Sequence, residues 1–123
     1  MNLKELREQV MFQTGNDAED LGDFLPHVTD YLNDGYDRLA LAYAGEHVSV
    51  ESERFAPLSH DKSEPELPSW SHRALADFAA WLVYRNGSAP KQSRGFLFRK
   101  AFEETESRLR MQRGGRQIIH IPR

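Results

Sequence analysis

The sequence predicts an all-α fold: a small four-helix bundle-like domain with a long loop between the second and third helices and an extended C-terminal arm. Two observations carry that expectation. Apolar residues recur at three- and four-residue steps in four stretches, the period of a helix with one buried face. Each stretch is bounded by residues that cap or break helices. At 123 residues the chain has the size of one domain, able to bury roughly two-thirds of its unfolded surface without a covalent staple.

The elements follow in order. Asn2 caps a short first helix with Leu3, Leu6 and Val10 on one face, stopping near Gly15-Asn16, residues that tolerate the left-handed conformation. An acidic loop, Asp17 to Asp23, comes next. Asp23 caps the second helix and Pro26 falls in its first turn, where its missing N–H breaks no bond. Phe24, Val28, Tyr31, Leu32, Gly35, Leu39 and Ala42 form its seam, and Gly45 ends it. Residues 45–68 have no helical period and three prolines, and connections of more than about 12–15 residues are usually functional or mobile. A short strand is open to Val48 and Val50 within it. Ser69 is then expected to cap a third helix, Trp70 to Arg85, apolar almost all round and so placed in the middle of the domain. Pro90 opens a fourth helix expected to run to about Gln112, before Gly114-Gly115. Its seam is Phe98, Ala101, Phe102, Thr105 and Leu109, with Phe96 and Leu97 starting that seam early. Residues 1–115 are thus expected as a helical domain from which the 45–68 loop projects, and 116–123, RQIIHIPR, as its arm.

Composition narrows the function. With no cysteine, the chain has no disulfide framework, thiolate metal site or cysteine nucleophile. The longest nearly apolar run, Ala74 to Tyr84, carries Asp77 and is too short to cross a bilayer. No signal-peptide pattern opens the sequence, so a soluble, intracellular protein is expected. The net charge of −3 conceals two blocks: residues 1–84 carry a balance of −10, and residues 85–123 one of +7. Such asymmetry points to nucleic acid on the basic side, to another copy of the chain, or to pairing of acidic and basic helices within one fold.

Candidate chemistry is sparse. His27, Asp30, Asp34 and Asp37 share one face of the second helix, which a divalent metal could use. No second ligand cluster accompanies them, and a solvated acidic face meeting a neighbour's basic helix is the favoured reading. The stretch from Asp17 lacks the oxygen ligands of a calcium loop at its fifth and twelfth positions, Leu21 and Val28. Ser71, His72 and Asp77 lack the strained turn and oxyanion hole of a nucleophilic triad, and Ser69 and Ser71 read as capping residues. Asp77, on so apolar a helix, needs a partner, and Arg73 is the local one. Arg85, Lys91, Arg94, Arg99 and Lys100 bracket the start of the fourth helix, with Phe96 and Phe98 between them, a basic patch for a partner or for phosphate. No cofactor is expected.

Three stretches carry a family resemblance: LKELREQVMFQTGNDAEDLGDFLPHVTDYLNDGYDRLALAYAG, LPSWSHRALADFAAWLVYRNG and PKQSRGFLFRKAFEET. The second helix, Phe24-Leu-Pro-x4-Tyr31-Leu-Asn-Asp-Gly-Tyr36-Asp-Arg38-Leu39, and the third, from Pro68-x-Trp70 to Trp81-Leu-Val-Tyr84-Arg-Asn-Gly87, are the most telling. Together they resemble the head–tail connector, or adaptor, family of tailed bacteriophages and prophages, over residues 3–110. The resemblance implies a non-enzymatic virion protein at the neck, present in the host cytoplasm during assembly. It implies a ring matching the portal, of about a dozen copies, that extends the DNA channel and receives tail-completion or stopper proteins. Its loop between the second and third helices would project, and its C-terminal segment would reach the portal. On that reading Asp30, Asp34 and Asp37 form an acidic inter-subunit face. Arg116, Ile118, Ile119 and Ile121 contact a subunit or the portal, and packaged DNA is met without sequence specificity; no membrane is involved. The alternative is a DNA-binding regulator or packaging accessory using the basic fourth helix. A metal-dependent enzyme built on the acidic face ranks third.

Overall fold

The computed structural model describes residues 1–15, 25–44, 56–85 and 87–119, with Leu25 and residues 113–119 as backbone only. It is all-α, with four helices packed together and no strand among the described residues: α1 (Leu3–Thr14), α2 (Val28–Ala44), α3 (Arg73–Tyr84) and α4 (Ala89–Ile119). Single 3-10 turns, Leu25–His27 and Ser69–Ser71, lead into α2 and α3. The suggested strand at Val48 and Val50 and the cap at Asp23 lie outside the described residues.

Helix α1 is fixed at both ends. The Asn2 side chain accepts from the Glu5 N–H while the Glu5 carboxylate accepts from the Asn2 N–H, a reciprocal capping box. Gly15, at φ 66°, closes the helix in the left-handed conformation and donates to Met11 and Phe12 carbonyls. Leu3, Leu6 and Val10 are buried as their spacing requires.

Helix α3 is the hub and packs against the other three. Nine of its residues, among them Leu75, Phe78, Ala79 and Leu82, are buried. Close approach on either side comes from glycine. A Cβ on Gly35 of α2 would sit 3.0 Å from the Phe78 ring, and one on Gly95 of α4 would sit 3.0 Å from the Tyr84 Cβ. Phe78 and Phe102 rings lie 4.8 Å apart at the centre, with Leu32, Leu39 and Leu109 fully buried around them. Phe98, expected in the core, is half-buried and stacks on Tyr84 instead.

The structure corrects four expectations. First, of the 45–68 loop expected to project, residues 56–68 lie against the bundle, and residues 45–55 lie outside the described residues. Leu58, Pro65 and Leu67 are buried, Asn33 clasps Leu58 by accepting from its N–H and donating to its carbonyl, at 2.8 and 3.0 Å, and the Tyr36 hydroxyl accepts from the Glu66 N–H at 2.7 Å. Carbonyls of Ser63 and Asp61 accept from Leu3 and Lys4, two of the first-turn N–H groups that a helix cannot satisfy itself. The proline-rich strap is therefore held by the polar ends of α1 and α2, which no hydrophobic period reveals.

Second, Ser69 makes no cap. Ser71 instead donates to the Pro68 carbonyl at 2.7 Å, and α3 starts after His72. Third, α4 does not stop at Gly114-Gly115 but continues to Ile119. Glycine permits a left-handed exit without compelling one, and inside a helix it costs only about 1 kcal/mol. Arg116, Ile118 and Ile119 thus belong to a helical backbone rather than an extended arm, while Ile121 lies outside the described residues. Fourth, Phe96 and Leu97 do not begin the seam; both are exposed. At about 100° per residue they fall on the side of α4 away from Phe98 and Phe102.

Candidate functional site

The residues that could meet a partner lie on the outer faces of α2 and α4. In α2, Val28, Leu32, Gly35, Tyr36 and Leu39 turn to the core. Helical spacing puts Asp30, Asp34 and Asp37 on the opposite side, and all three are exposed. Partial desolvation, with the neighbouring carboxylates of Asp37 and Asp30, raises the pKa of Asp34 above the usual aspartate value. The stripe therefore carries like-charge repulsion that a cationic surface would relieve. Among the described residues no cation pairs with Asp30 or Asp34. His27 sits beside Tyr31, ring centroids 6.2 Å apart, and no group of three His, Asp or Glu among the described residues is disposed to hold a metal ion.

The basic patch divides in two. Arg85, Lys91, Arg94 and Lys100 are exposed and have no acidic partner among the described residues. Arg99 is engaged: it reaches Glu103 at 3.1 Å and lies 5.2 Å from the centre of the Trp81 ring. Further along α4 the arginines are also occupied. Arg108 covers Trp70, 4.4 Å from its ring centre. Glu106, buried on α4, accepts from Nη2 and Nε of Arg38 of α2 at 3.1 and 3.2 Å, with Arg110 at 3.7 Å. The Arg38 guanidinium is also 5.0 Å from the Phe102 ring centre, so one cation ties α2 to α4 through charge and aromatic face alike. Sequence reasoning missed this latch because its partners are 68 residues apart. The pair it could have found was Phe96-Leu97, whose register already departs from the Phe98, Phe102, Leu109 seam.

The residues weighed for nucleophilic chemistry are not brought together. Both ring nitrogens of buried His72 are occupied, Nδ1 accepting from the Met1 amino group and Nε2 donating to the Leu67 carbonyl, each at 2.8 Å. Asp77 accepts from the Gln13 amide across the α1–α3 contact, not from Arg73, which bears on it only through its charge. Burial raises the Asp77 pKa, against the opposing pull of Gln13 and Arg73. The arrangement offers surfaces of opposite sign on a rigid helical core. No helix among the described residues is long and apolar enough to cross a membrane. Compared with protein-family models, curated proteins and solved structures, the chain matches none.

Proposed function

We propose that the chain is a structural protein of the tailed-phage neck, a head–tail connector that forms a ring under the portal and receives tail-completion proteins. The observation that supports it best is the pairing of an exposed, self-repelling carboxylate stripe on α2 with exposed, unpaired cations at the start of α4. Two different surfaces of complementary charge on one small domain suit a heterologous contact, which closes into a ring when its rotation allows. The resemblance of the second and third helices to connector proteins points the same way. Within such a ring, cations facing the channel would meet DNA through its phosphates, with affinity set by salt rather than sequence. Cofactor and catalytic step have no place in this function.

A second reading is a packaging accessory that binds DNA through α4, favoured by exposed Phe96 one turn before exposed Lys100. Mixing the purified chain with the portal protein encoded in its own gene neighbourhood, and imaging the product, separates the two. Ring density beneath the portal is expected. A chain that ignores the portal but binds duplex DNA with a steep salt dependence would replace the connector reading with the accessory one.

A further inference from the structure

We infer that the outer stripe of α4 is a docking surface for a second copy of this chain, whose own α4 stripe lies antiparallel against it. The inference goes beyond the connector reading and needs nothing from it.

At about 100° per residue, Ser93, Leu97, Lys100, Glu104, Ser107 and Met111 fall within about 40° of one line along α4. That line runs opposite Phe102, Glu106 and Leu109, which are buried, and all six residues on it are exposed. Their spacing alternates between four and three residues, the repeat by which a helix keeps one seam against a partner over several turns. From Ser93 to Met111 the seam is about 27 Å long. Leu97 and Met111 are 66% and 74% exposed. Single apolar residues are ordinary on a surface; what sets these apart is the order of the residues between and around them. Lys100 and Glu104 stand in the middle of the seam and make no ion pair among the described residues.

That order is self-complementary. A second copy laid antiparallel, turned about an axis midway between Lys100 and Glu104, sets each Lys100 against the other copy's Glu104, giving two equal ion pairs. Leu97 then faces Ser107 and Met111 faces Ser93, a large side chain against a small one in each layer, as interdigitation requires. A parallel pair would instead oppose Lys100 to Lys100 and Glu104 to Glu104, so the charges select the antiparallel direction. Phe96, 56% exposed, borders Leu97 and adds to the apolar ends of the seam. At the rim, where like charges approach, Glu103 is already engaged by Arg99, and Arg108 lies over the Trp70 ring. The contact is isologous: each copy uses its whole stripe, and association through it stops at two. One helix against one helix stays at the low end of stable interfaces, below roughly 1,200 Å², so the dimer is weak.

Sedimentation of the full chain up to about 1 mM tests the inference. Wild type is expected to dimerise, and Leu97→Ser, Lys100→Glu and Glu104→Lys should each weaken the dimer at least about tenfold. All three positions are exposed, and circular dichroism checks that each variant is folded. The double swap Lys100→Glu, Glu104→Lys should dimerise like wild type. An equal mixture of the two single charge variants should form mixed dimers that neither forms alone, because each chain then offers the charges the other lacks. A wild type that stays monomeric would overturn the second copy as occupant. Dimers indifferent to these substitutions, or single variants that do not rescue each other on mixing, would overturn the antiparallel stripe. Imaging with the portal tests the function separately, since ring formation does not require this contact.

Discussion

Asp77 is half-buried on α3, and among the described residues its one hydrogen-bond partner is the amide nitrogen of Gln13, whose Oε1 is buried with no partner among them. An ionised carboxylate cannot satisfy that oxygen, whereas a protonated one can donate to it. Burial raises the folded-state pKa above the unfolded value of about 3.9, so the proton binds the folded chain more tightly. Asp77 therefore weakens the fold above its folded pKa, and that penalty fades as pH falls towards the unfolded value. Asp77→Asn places an N–H donor there permanently. Urea melts from pH 7 to 4 should show wild type gaining on Asp77→Asn as acid is added; a gap that widens against wild type would refute the pairing. The Arg38–Glu106 latch yields a second prediction at this scale. Removing Arg38 strips the buried carboxylate of its fork and leaves only Arg110 at 3.7 Å, whereas Glu106→Gln leaves a neutral acceptor facing a half-exposed guanidinium. Arg38→Ala should cost about 2–3 kcal/mol and Glu106→Gln about 1 kcal/mol, by denaturant melts. The reverse order would mean that solvent, not Arg38, compensates Glu106.

At the scale of elements, α3 holds the others together, and Phe78 is where they converge. Its ring meets Gly35 of α2, Phe102 of α4 and Trp81 of its own helix. Phe78→Ala should cost about 3–5 kcal/mol, since packed rings on several sides cannot collapse into the cavity. A loss under about 1 kcal/mol would contradict so buried a position. Such positions were legible in the sequence because periodicity reports burial directly: Leu32, Leu39, Leu75, Phe78, Leu82, Phe102 and Leu109 all lie where their spacing put them. What escaped depends on contacts that spacing does not encode. The strap is held by the Asn33 amide and the Tyr36 hydroxyl, polar groups whose partners lie 25 and 30 residues away. The true end of α4 was hidden because a glycine pair signals a stop only when the chain turns there. Of the candidate site, the charges were visible; which of them the fold neutralises was not. Arg94 and Arg99 look equivalent in sequence, yet only Arg99 has Glu103 and Trp81 beside it.

For the whole molecule, the question is whether the strap and the bundle form one cooperative unit. The backbone hydrogen bonds from Leu3 and Lys4 to Ser63 and Asp61, the Asn33 clasp on Leu58 and the Tyr36 bond to Glu66 tie residues 58–66 to α1 and α2 at separate points. Beyond the strap, Trp70 is covered by Arg108 of α4, and Trp81 borders Phe78 within the bundle. The two tryptophans therefore report on the strap's exit and on the core. In Trp81→Phe, fluorescence from Trp70 alone should follow the same urea transition as the helical signal, as a single two-state unit requires. Asn33→Ala should move both transitions together, by about 1–3 kcal/mol, because it leaves the buried Leu58 backbone groups without their amide. If Trp70 fluorescence changed at lower urea than helicity, the strap's exit would open as a separate unit. The strap would then be a loosely attached segment, and the ends of α1 and α2 would not be what binds it.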